Sequence, residues 1–554
     1  MAMRAIQVMP IPSAEQASSN PSDGFHHYKH SALDIWALGI TIVIGGQYFS
    51  WNAGLAAGTL SYGVAVLLMG LAYLCLALSM AEMTSMLPFA GGAYGLARCA
   101  LSFYAGFIMG CAEAIEYIMY VTCSVVQLGR MLADKWPQLR GLEFLVWFAI
   151  YAVACSAIIL GGKFFWRWNM MLALISLGII LVFCLGSSGQ VNLAANGGGQ
   201  DMLVVGGFMA FMKASPLSTW FFVGIEALNT LSNEVHDPKT TIPKGQVACM
   251  LTLLITSAAV FFVSISLPPG MPAVATALAP LSGGFSLLLN ISEANAMLFS
   301  IPATFATIQG FILAFTNIIG AMANSRLLPA VLSQRHAILG TPVYAVLGGS
   351  ALSFSLCFLD GYVDGLDRTL FNICILFGLA AYSSQCLGYI FLKRRYPNLH
   401  RQFVSPVGIP GVVFAICVWV MNMVSIVAFQ DDHHLSFVVA VGLVALFSAY
   451  YYVVAKHRQT ISDDERKILF FVHVSINNGS KRKRSMRRRA SSGASPWWKR
   501  FAFFMAKPES TPDIRAAQPV NTLRSHESMH TGETTTDLTV AIASESPRPP
   551  SEMQ

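Results

Sequence analysis

The chain has 554 residues, of which 55% are hydrophobic and 11% are charged. Soluble domains carry about 25% charged residues, so this composition argues against a water-soluble protein. The formal net charge of +7 does not indicate nucleic-acid binding, because much of it lies in one basic run from Lys481 to Arg489. A basic run of this kind is attracted to the anionic surface of a membrane.

Long uncharged runs predict membrane-spanning helices. Residues 60–80 and 247–268, for example, contain no Lys, Arg, Asp or Glu. About 20 helical residues cross the hydrocarbon core of a bilayer, whereas a barrel strand needs about 10. Lipid offers no hydrogen-bond partner to a free backbone group, so runs of this length predict an all-α polytopic fold.

The predicted elements begin after a polar segment, residues 1–30, which has no signal-peptide pattern and is predicted to be a disordered cytosolic tail. A transmembrane domain over residues 31–456 follows. Its twelve spans are predicted near residues 33–57, 62–86, 101–128, 143–160, 168–186, 217–232, 247–267, 301–324, 343–359, 370–391, 411–429 and 435–454.

The distribution of basic residues in the loops predicts the orientation. With the N-terminus in the cytosol, the cationic residues predicted to face outward are Arg130, Lys135, Arg140, Lys213 and Arg368, and the other loop cations face the cytosol. Cytosolic loops are richer in Lys and Arg, so both termini are predicted to be cytosolic. The sequon Asn290-Ile291-Ser292 lies in a predicted outward loop and is a candidate glycosylation site. We expect a plasma-membrane location.

Residues 457–554 are rich in Ser, Arg, Thr and Pro and are predicted to form a disordered cytosolic tail. Within it, residues 496–507 mix aromatic and cationic side chains. They are interpreted either as a helix lying in the headgroup region or as chance aromatics in a disordered tail. Ser491 follows an Arg-x-x pattern that basophilic kinases recognise, and phosphate there would weaken attraction to anionic lipid.

Catalytic chemistry is not indicated by the sequence. The cysteines in the apolar runs lack metal-ligand spacing, and no nucleotide-binding loop, metal cluster or nucleophile constellation is recognisable. The sequence therefore predicts neither an enzyme nor a cofactor, and transport energy would come from gradients.

The first predicted span is interrupted in its middle by the string Gly45-Gly46-Gln47-Tyr48-Phe49-Ser50-Trp51-Asn52-Ala53-Gly54-Leu55. Helix halves that end at mid-membrane expose N–H and C=O groups, which can hold an ion or a substrate where the backbone lines a cavity. Taken alone, a glycine pair is more often a site of close helix contact. The pattern leaves both interpretations open.

This string resembles the first helix of the amino acid-polyamine-organocation permeases, in particular the ethanolamine permease branch with its Tyr-Phe-x-Trp-Asn-x-Gly-Leu pattern. Further segments that are similar to this family, in order, are Ala81-Glu82, residues 88–98, Trp220 to Glu226, residues 234–238 and 242–245, residues 324–329 with 340–342, residues 394–397 and residues 401–406. The resemblance implies a five-plus-five inverted-repeat, leucine-transporter-like fold. Its first and sixth helices would be discontinuous at a central site, with two later spans outside the repeats.

The resemblance also implies the lining of the site. Gly45, Gly46, Gln47 and Tyr48 would form one side, and Trp220, Phe221, Phe222, Val223, Gly224 and Ile225 the other. Trp220 stands where related antiporters place a gating aromatic, although a Trp at a membrane interface is also ordinary. Glu226 would have a structural or coupling role.

Two departures from the family pattern affect the prediction. Gln47 replaces the third residue of the family's Gly-x-Gly break, where a substrate carboxylate usually meets bare backbone, and this favours a small amine. The fifth span lacks the lysine that replaces a sodium ion in some members. The choice among proton, sodium, exchange and simple facilitation is therefore open.

Glu113 and Glu116 lie in the third span, where each charged side chain costs about 2.5–3.5 kcal/mol on insertion scales. Their spacing puts both on one helix face, with Tyr117 and Tyr120 one turn further. Glu113 and Glu116 are candidates to hold a substrate ammonium or a coupling proton. The alternative is a protonated Glu hydrogen-bonded to a neighbouring helix.

The sequence thus predicts a secondary transporter that moves an ethanolamine-like amine or an amino acid by alternating access. The alternative is a nutrient sensor that keeps the permease fold and signals through its C-terminal tail. The expected partners are the small-molecule substrate, membrane lipids and either a coupling proton or a sodium ion, but no nucleic acid.

Overall fold

The computed structural model describes residues 30–88, 91–232, 234–337, 339–363, 365–397, 399–462 and 465–466. The predictions for the N-terminal tail before residue 30, for Ser491 and for residues 496–507 lie outside this described part. The same holds for most of the predicted C-terminal tail.

The described residues form an all-α membrane protein, as predicted. Eleven helices are long and apolar enough to cross a membrane, and a bent helix pair at the start brings the number to twelve. Spans 1 to 12 are Ala32–Gln47 with Trp51–Ala57, Thr59–Met86, Phe103–Lys135, Glu143–Leu160, Gly162–Gly186, Gly207–Leu231, Pro238–Ser266, Ile301–Asn324, Val343–Tyr362, Leu366–Arg395, Gly408–Phe429 and Leu435–Arg458. A short loop helix, Gly92–Ala100, lies between spans 2 and 3.

Local signals explain where several spans begin. Ser31 and Asp34 form a reciprocal capping box at the start of span 1, with Ser31 N–H donating to Asp34 Oδ2 at 2.8 Å. The Ser102 Oγ accepts from Ala105 N–H at 3.0 Å at the start of span 3. Both contacts satisfy backbone donors that a helix leaves free at its N-terminus.

Span 1 is broken where the sequence predicts. An α-helix, Ala32–Val43, passes into a tighter 3₁₀ turn, Ile44–Gln47. Ser50 then adopts the left-handed φ of 68°, and a second 3₁₀ segment, Trp51–Ala57, leaves at an angle of 45° to the first half. A non-glycine residue in this φ region is uncommon. The backbone at Ser50 therefore marks the point at which the helix is interrupted.

Span 6 is also discontinuous. It begins as the α-helix Gly207–Ala214 and continues as a 3₁₀ segment, Ser215–Phe221. Gly224 then has a φ of 103°, and a second 3₁₀ segment, Ile225–Leu231, follows. A side chain at Gly224 would be strained by this φ and would lie 2.5 Å from Ile42 of span 1, so glycine fits both demands.

The twelve spans form a bundle in which the broken spans are central. Span 1 packs against spans 5, 7 and 8, and span 3 packs against spans 8 and 10. Since the number of spans is even, the chain enters span 1 and leaves span 12 on the same side of the bundle. We call this side the terminal face and the opposite side the far face.

Two of the motifs noted in the sequence, Ala81-Glu82 and residues 401–406, meet at the terminal face. Glu82 of span 2 accepts from Lys393 Nζ at 2.9 Å and from the Ser405 N–H at 2.9 Å, and its other oxygen lies 2.9 Å from Arg401 Nε. The carboxylate of Glu82 therefore ties span 2 to span 10 and to the loop that follows it.

The segment after span 12 contacts the loop helix. Arg98 of the loop helix donates to the Thr460 carbonyl at 3.0 Å and lies 3.5 Å from a Glu465 carboxyl oxygen, with both charged side chains buried. Tyr94 donates to the same carboxyl group. The boundary at residue 456 stays a prediction, but described residues beyond it pack on the transmembrane part.

Candidate substrate site

The two breaks touch each other. An added Cβ atom at Gly46 would lie 1.8 Å from the main-chain oxygen of Trp220, so span 1 approaches the span 6 backbone at a distance that only glycine permits. Gly45 N–H donates to Thr307 Oγ1 of span 8 at 2.9 Å. Spans 1, 6 and 8 therefore meet where the first two lose their regular hydrogen bonding.

Trp220 is buried in a group of aromatic side chains on the far-face side of the break in span 6. Its ring stacks on Phe371 of span 10, with centroids 5.1 Å apart and planes within 2°. Phe49 and Tyr120 contact it edge-on at 5.1 and 5.4 Å. Aromatic pairs with these geometries attract each other, so the rings hold spans 1, 3, 6 and 10 in contact around Trp220.

Three fully buried carboxyl groups meet beside the breaks, and two tyrosine hydroxyls join them. Tyr117 Oη lies 3.2 Å from Glu113 Oε1 and 3.2 Å from Glu226 Oε1. Tyr382 Oη contacts Glu116 Oε1 and lies 3.3 Å from Glu226 Oε1. We call these five residues the acid cluster.

The second carboxyl oxygen has a different environment in each of the three acids. The other Glu113 oxygen accepts from Ala93 N–H of the loop helix at 2.9 Å, and the other Glu226 oxygen accepts from Gly224 N–H at 3.2 Å within the break. Glu116 Oε2 is buried and has no hydrogen-bond partner among the residues that the structure describes. Glu116 is therefore the acid with a free acceptor, while the other two also hold backbone N–H groups.

The charge of the acid cluster is not balanced by a basic side chain among the described residues. Among the described residues, the acids that form ion pairs with basic side chains are Glu82, Asp367, Asp431 and Glu465. None of these acids belongs to the acid cluster. No metal-binding group of His, Cys, Asp or Glu was found among those residues either. Several buried charges of one sign would cost several kcal/mol each, so the cluster must hold protons or attract a cation.

The remaining predicted lining residues are buried but make contacts of other kinds. Gln47 Nε2 lies 3.4 Å from the Leu253 carbonyl of span 7, so this amide lies between spans 1 and 7. Tyr48 Oη donates to the Ser176 carbonyl of span 5 at 2.5 Å. Gln246 of span 7 donates to the Ile225 carbonyl at 3.1 Å.

Two aromatic residues of the predicted lining pack on other rings. Phe221 packs on Trp51 with ring centroids 4.9 Å apart, and Phe222 lies 6.0 Å from Tyr73 of span 2. Val223, between them and the break at Gly224, is buried. These side chains shape the walls around the breaks, and the polar contacts come from the acid cluster.

Sequence reasoning missed three residues at this site. Tyr382 and Phe371 lie in span 10, and Thr307 lies in span 8, each within an apolar run. The available signal for Tyr382 was the pattern Gly378-x-x-x-Tyr382, because Gly378 leaves room for Glu116: a Cβ there would lie 2.3 Å from its Oε1. That signal becomes readable only when spans 3 and 10 are known to pack together.

Comparison with known proteins agrees with this architecture. The family model described as amino acid permease matches residues 31–447, which is most of the chain and nearly all of its spans. The chain belongs to the amino acid permease family. It is therefore a multi-pass integral membrane transporter by family, and the predicted resemblance is confirmed at the level of the superfamily.

The individual relatives are distant in sequence. An uncharacterised transporter of Rhizobium meliloti (strain 1021) is 26% identical over 409 residues, covering 69% of this chain and 83% of the relative. A methylthioribose transporter of Bacillus subtilis (strain 168) is 25% identical, covering 75% and 92%. A branched-chain amino acid permease of the same organism is 25% identical, covering 72% and 89%.

Proposed function

We propose that this permease is a secondary transporter of a small organic amine, with amino acids as the competing substrate class, and that it works by alternating access around the two breaks. The observation that carries the proposal is the acid cluster, which joins spans 3, 6 and 10 beside the break in span 6. A buried acidic group without a basic partner among the described residues favours a cationic ligand.

The backbone donors at the breaks support an amine over an amino acid. A substrate carboxylate would need free N–H groups, but Gly45 N–H donates to Thr307 and Gly224 N–H donates to Glu226. An ethanolamine-like molecule has an ammonium group and no carboxylate, so it would leave both contacts in place. The named substrates of the relatives, methylthioribose and branched-chain amino acids, differ enough that family membership alone does not choose between the classes.

The test is uptake and exchange in proteoliposomes made with the full chain. Labelled ethanolamine is compared with other small amines, a panel of amino acids and methylthioribose, each competed by the unlabelled compound. We expect saturable uptake of an amine that excess amino acid does not abolish. Transport of amino acids with no amine transport would correct the substrate class, and the absence of both would overturn the proposal.

The sensor alternative makes a different prediction. A sensor would bind ligand without flux and would lose its signal when residues 481–554 are deleted. Unbroken spans 1 and 6 would have favoured it, but both spans are interrupted, at Ser50 and at Gly224. We therefore retain transport as the proposed function.

A further inference from the structure

We propose that the acid cluster stores protons which the ammonium group of the substrate displaces, so that this permease exchanges protons for an amine. This inference rests on the proposed function and deepens it, because it names the coupling partner and the residues that hold it.

Each of the two tyrosine hydroxyls contacts two carboxyl oxygens. Tyr117 Oη lies 3.2 Å from oxygens of both Glu113 and Glu226, and Tyr382 Oη contacts oxygens of both Glu116 and Glu226. A phenol has one hydrogen and can donate to one acceptor. The second contact of each tyrosine becomes a hydrogen bond when the carboxyl group carries the proton and donates to the phenol oxygen.

The contacts also indicate which acids carry these protons. Glu226 accepts Gly224 N–H at one oxygen, and as a carboxylate it can accept from Tyr117 and Tyr382 at the other. Glu113 and Glu116 then donate to the tyrosines as neutral acids. In this arrangement every contact is satisfied, and the cluster holds two protons and one negative charge.

The groups that face the cluster from neighbouring elements leave this charge unbalanced. Span 2 contributes Tyr73, whose ring centroid is 5.5 Å from that of Tyr382, and span 3 contributes Tyr120. Span 10 adds Cys374, which donates to the Glu116 carbonyl at 3.2 Å, and the loop helix adds the Ala93 N–H. None of these groups is cationic, so the negative charge of the cluster favours a positive ligand.

An ammonium group can replace the stored protons. It offers three donors, and Glu116 Oε2 is a buried acceptor without a partner in the described structure. When the ammonium binds at this oxygen, its positive charge favours the ionised form of Glu116, and the proton that Glu116 carries leaves. If one proton leaves for each ammonium bound, the net charge of the site does not change, which keeps the cost of charge burial low.

The first experiment measures proton release by the purified full chain. Ethanolamine is added to protein in weakly buffered solution with a pH-sensitive dye, followed by whichever amine or amino acid the uptake panel identifies. We expect about one proton released per ligand bound, and an apparent Kd that rises about tenfold for each unit fall in pH, as linkage of one proton requires. Glu116→Gln should remove both effects, whereas Glu143→Gln, at the start of span 4, should retain them.

The second experiment needs no ligand. Infrared difference spectra of wild type against Glu113→Gln and against Glu116→Gln, in folded protein at neutral pH, should each show loss of a protonated-carboxyl C=O band. Absence of that band in both comparisons would overturn the inference. Ligand binding with no proton release and a pH-independent Kd would also overturn it while leaving the proposed function intact. Failure of every amine and amino acid to bind or move would instead overturn the proposed function.

Discussion

The Tyr382 hydroxyl joins two carboxyl groups that come from different spans. It contacts Glu116 of span 3 and lies 3.3 Å from Glu226 of span 6, so one phenol couples three helices. Removing this hydroxyl while keeping the ring leaves packing intact and takes away a hydrogen bond to a charged group. Such bonds contribute about 1.5–3 kcal/mol.

We therefore predict that Tyr382→Phe weakens amine affinity about tenfold to a hundredfold, measured by competition uptake. Tyr62→Phe is the matched control, since Tyr62 is buried in span 2 and its hydroxyl has no hydrogen-bond partner within the described part of the chain. It should bind and transport like wild type. Unchanged affinity in Tyr382→Phe would show that this hydroxyl has no part in ligand binding.

Trp220 provides the second residue-scale prediction. Its ring stacks on Phe371 and contacts Tyr120, so Trp220→Ala should open a path on the far-face side of the acid cluster. We expect faster leak of labelled substrate from preloaded proteoliposomes. Trp220→Phe keeps a ring that can stack on Phe371 and should leak less than Trp220→Ala. Equal retention by wild type and Trp220→Ala, with both proteins folded, would contradict a gating role.

Residue-scale prediction from the sequence succeeds where the relevant geometry is local. The spacing of Glu113 and Tyr117 within one helix predicts their contact, and the structure has it at 3.2 Å. Glu226 was assigned only a structural or coupling role, because nothing local to span 6 reveals that it meets the acids of span 3. Tyr382 was missed for the same reason: its partners are more than 150 residues away in sequence.

At the scale of elements, the close approach of the two breaks is the most restrictive feature. A methyl group at Gly46 would overlap the Trp220 carbonyl oxygen at 1.8 Å, and that atom belongs to the backbone. If the overlapping atom belonged to a flexible side chain, that side chain could move aside. Because the atom belongs to the backbone of span 6, one of the two broken spans would have to shift. Overpacking of this kind costs about 1–3 kcal/mol.

We predict that Gly46→Ala lowers thermal stability and abolishes uptake, because the two breaks can no longer meet. Gly178→Ala in span 5 is the control, since a Cβ atom there would have no atom of the described residues within 4 Å. That substitution should leave uptake unchanged and should favour helix by up to about 1 kcal/mol. Normal uptake by Gly46→Ala would mean that the contact between spans 1 and 6 can be relaxed without loss of function.

The spans themselves are predictable because hydrocarbon demands long apolar helices, but some of the predicted limits lie inside the helices that the structure has. Span 3 runs to Lys135 and span 7 begins at Pro238, whereas the apolar runs suggested residues 128 and 247. Charged residues such as Arg130 and Lys244 are treated as boundaries when the spans are predicted from apolar runs. In the structure the helices continue through them, since charged side chains at helix ends can extend into the interfacial region.

For the whole molecule, the even number of spans places both ends of the bundle on one face. The distribution of Lys and Arg predicts that the terminal face is cytosolic. On this orientation the loop between spans 7 and 8 lies outside. It carries Asn290, which is exposed and has a left-handed φ of 53°.

Glycosylation can report this orientation directly. If the protein is made in a eukaryotic cell, the oligosaccharide is added in the endoplasmic reticulum lumen, so Asn290 should be modified when the far face is extracytosolic. We expect a mobility shift that a glycosidase removes and that Asn290→Gln abolishes. Asn478→Gln is the matched control, because the Asn478-Gly479-Ser480 sequon would be cytosolic and should stay unmodified. Modification of Asn478 in place of Asn290 would invert the topology and would place the ion cluster around Glu82 on the outside of the membrane.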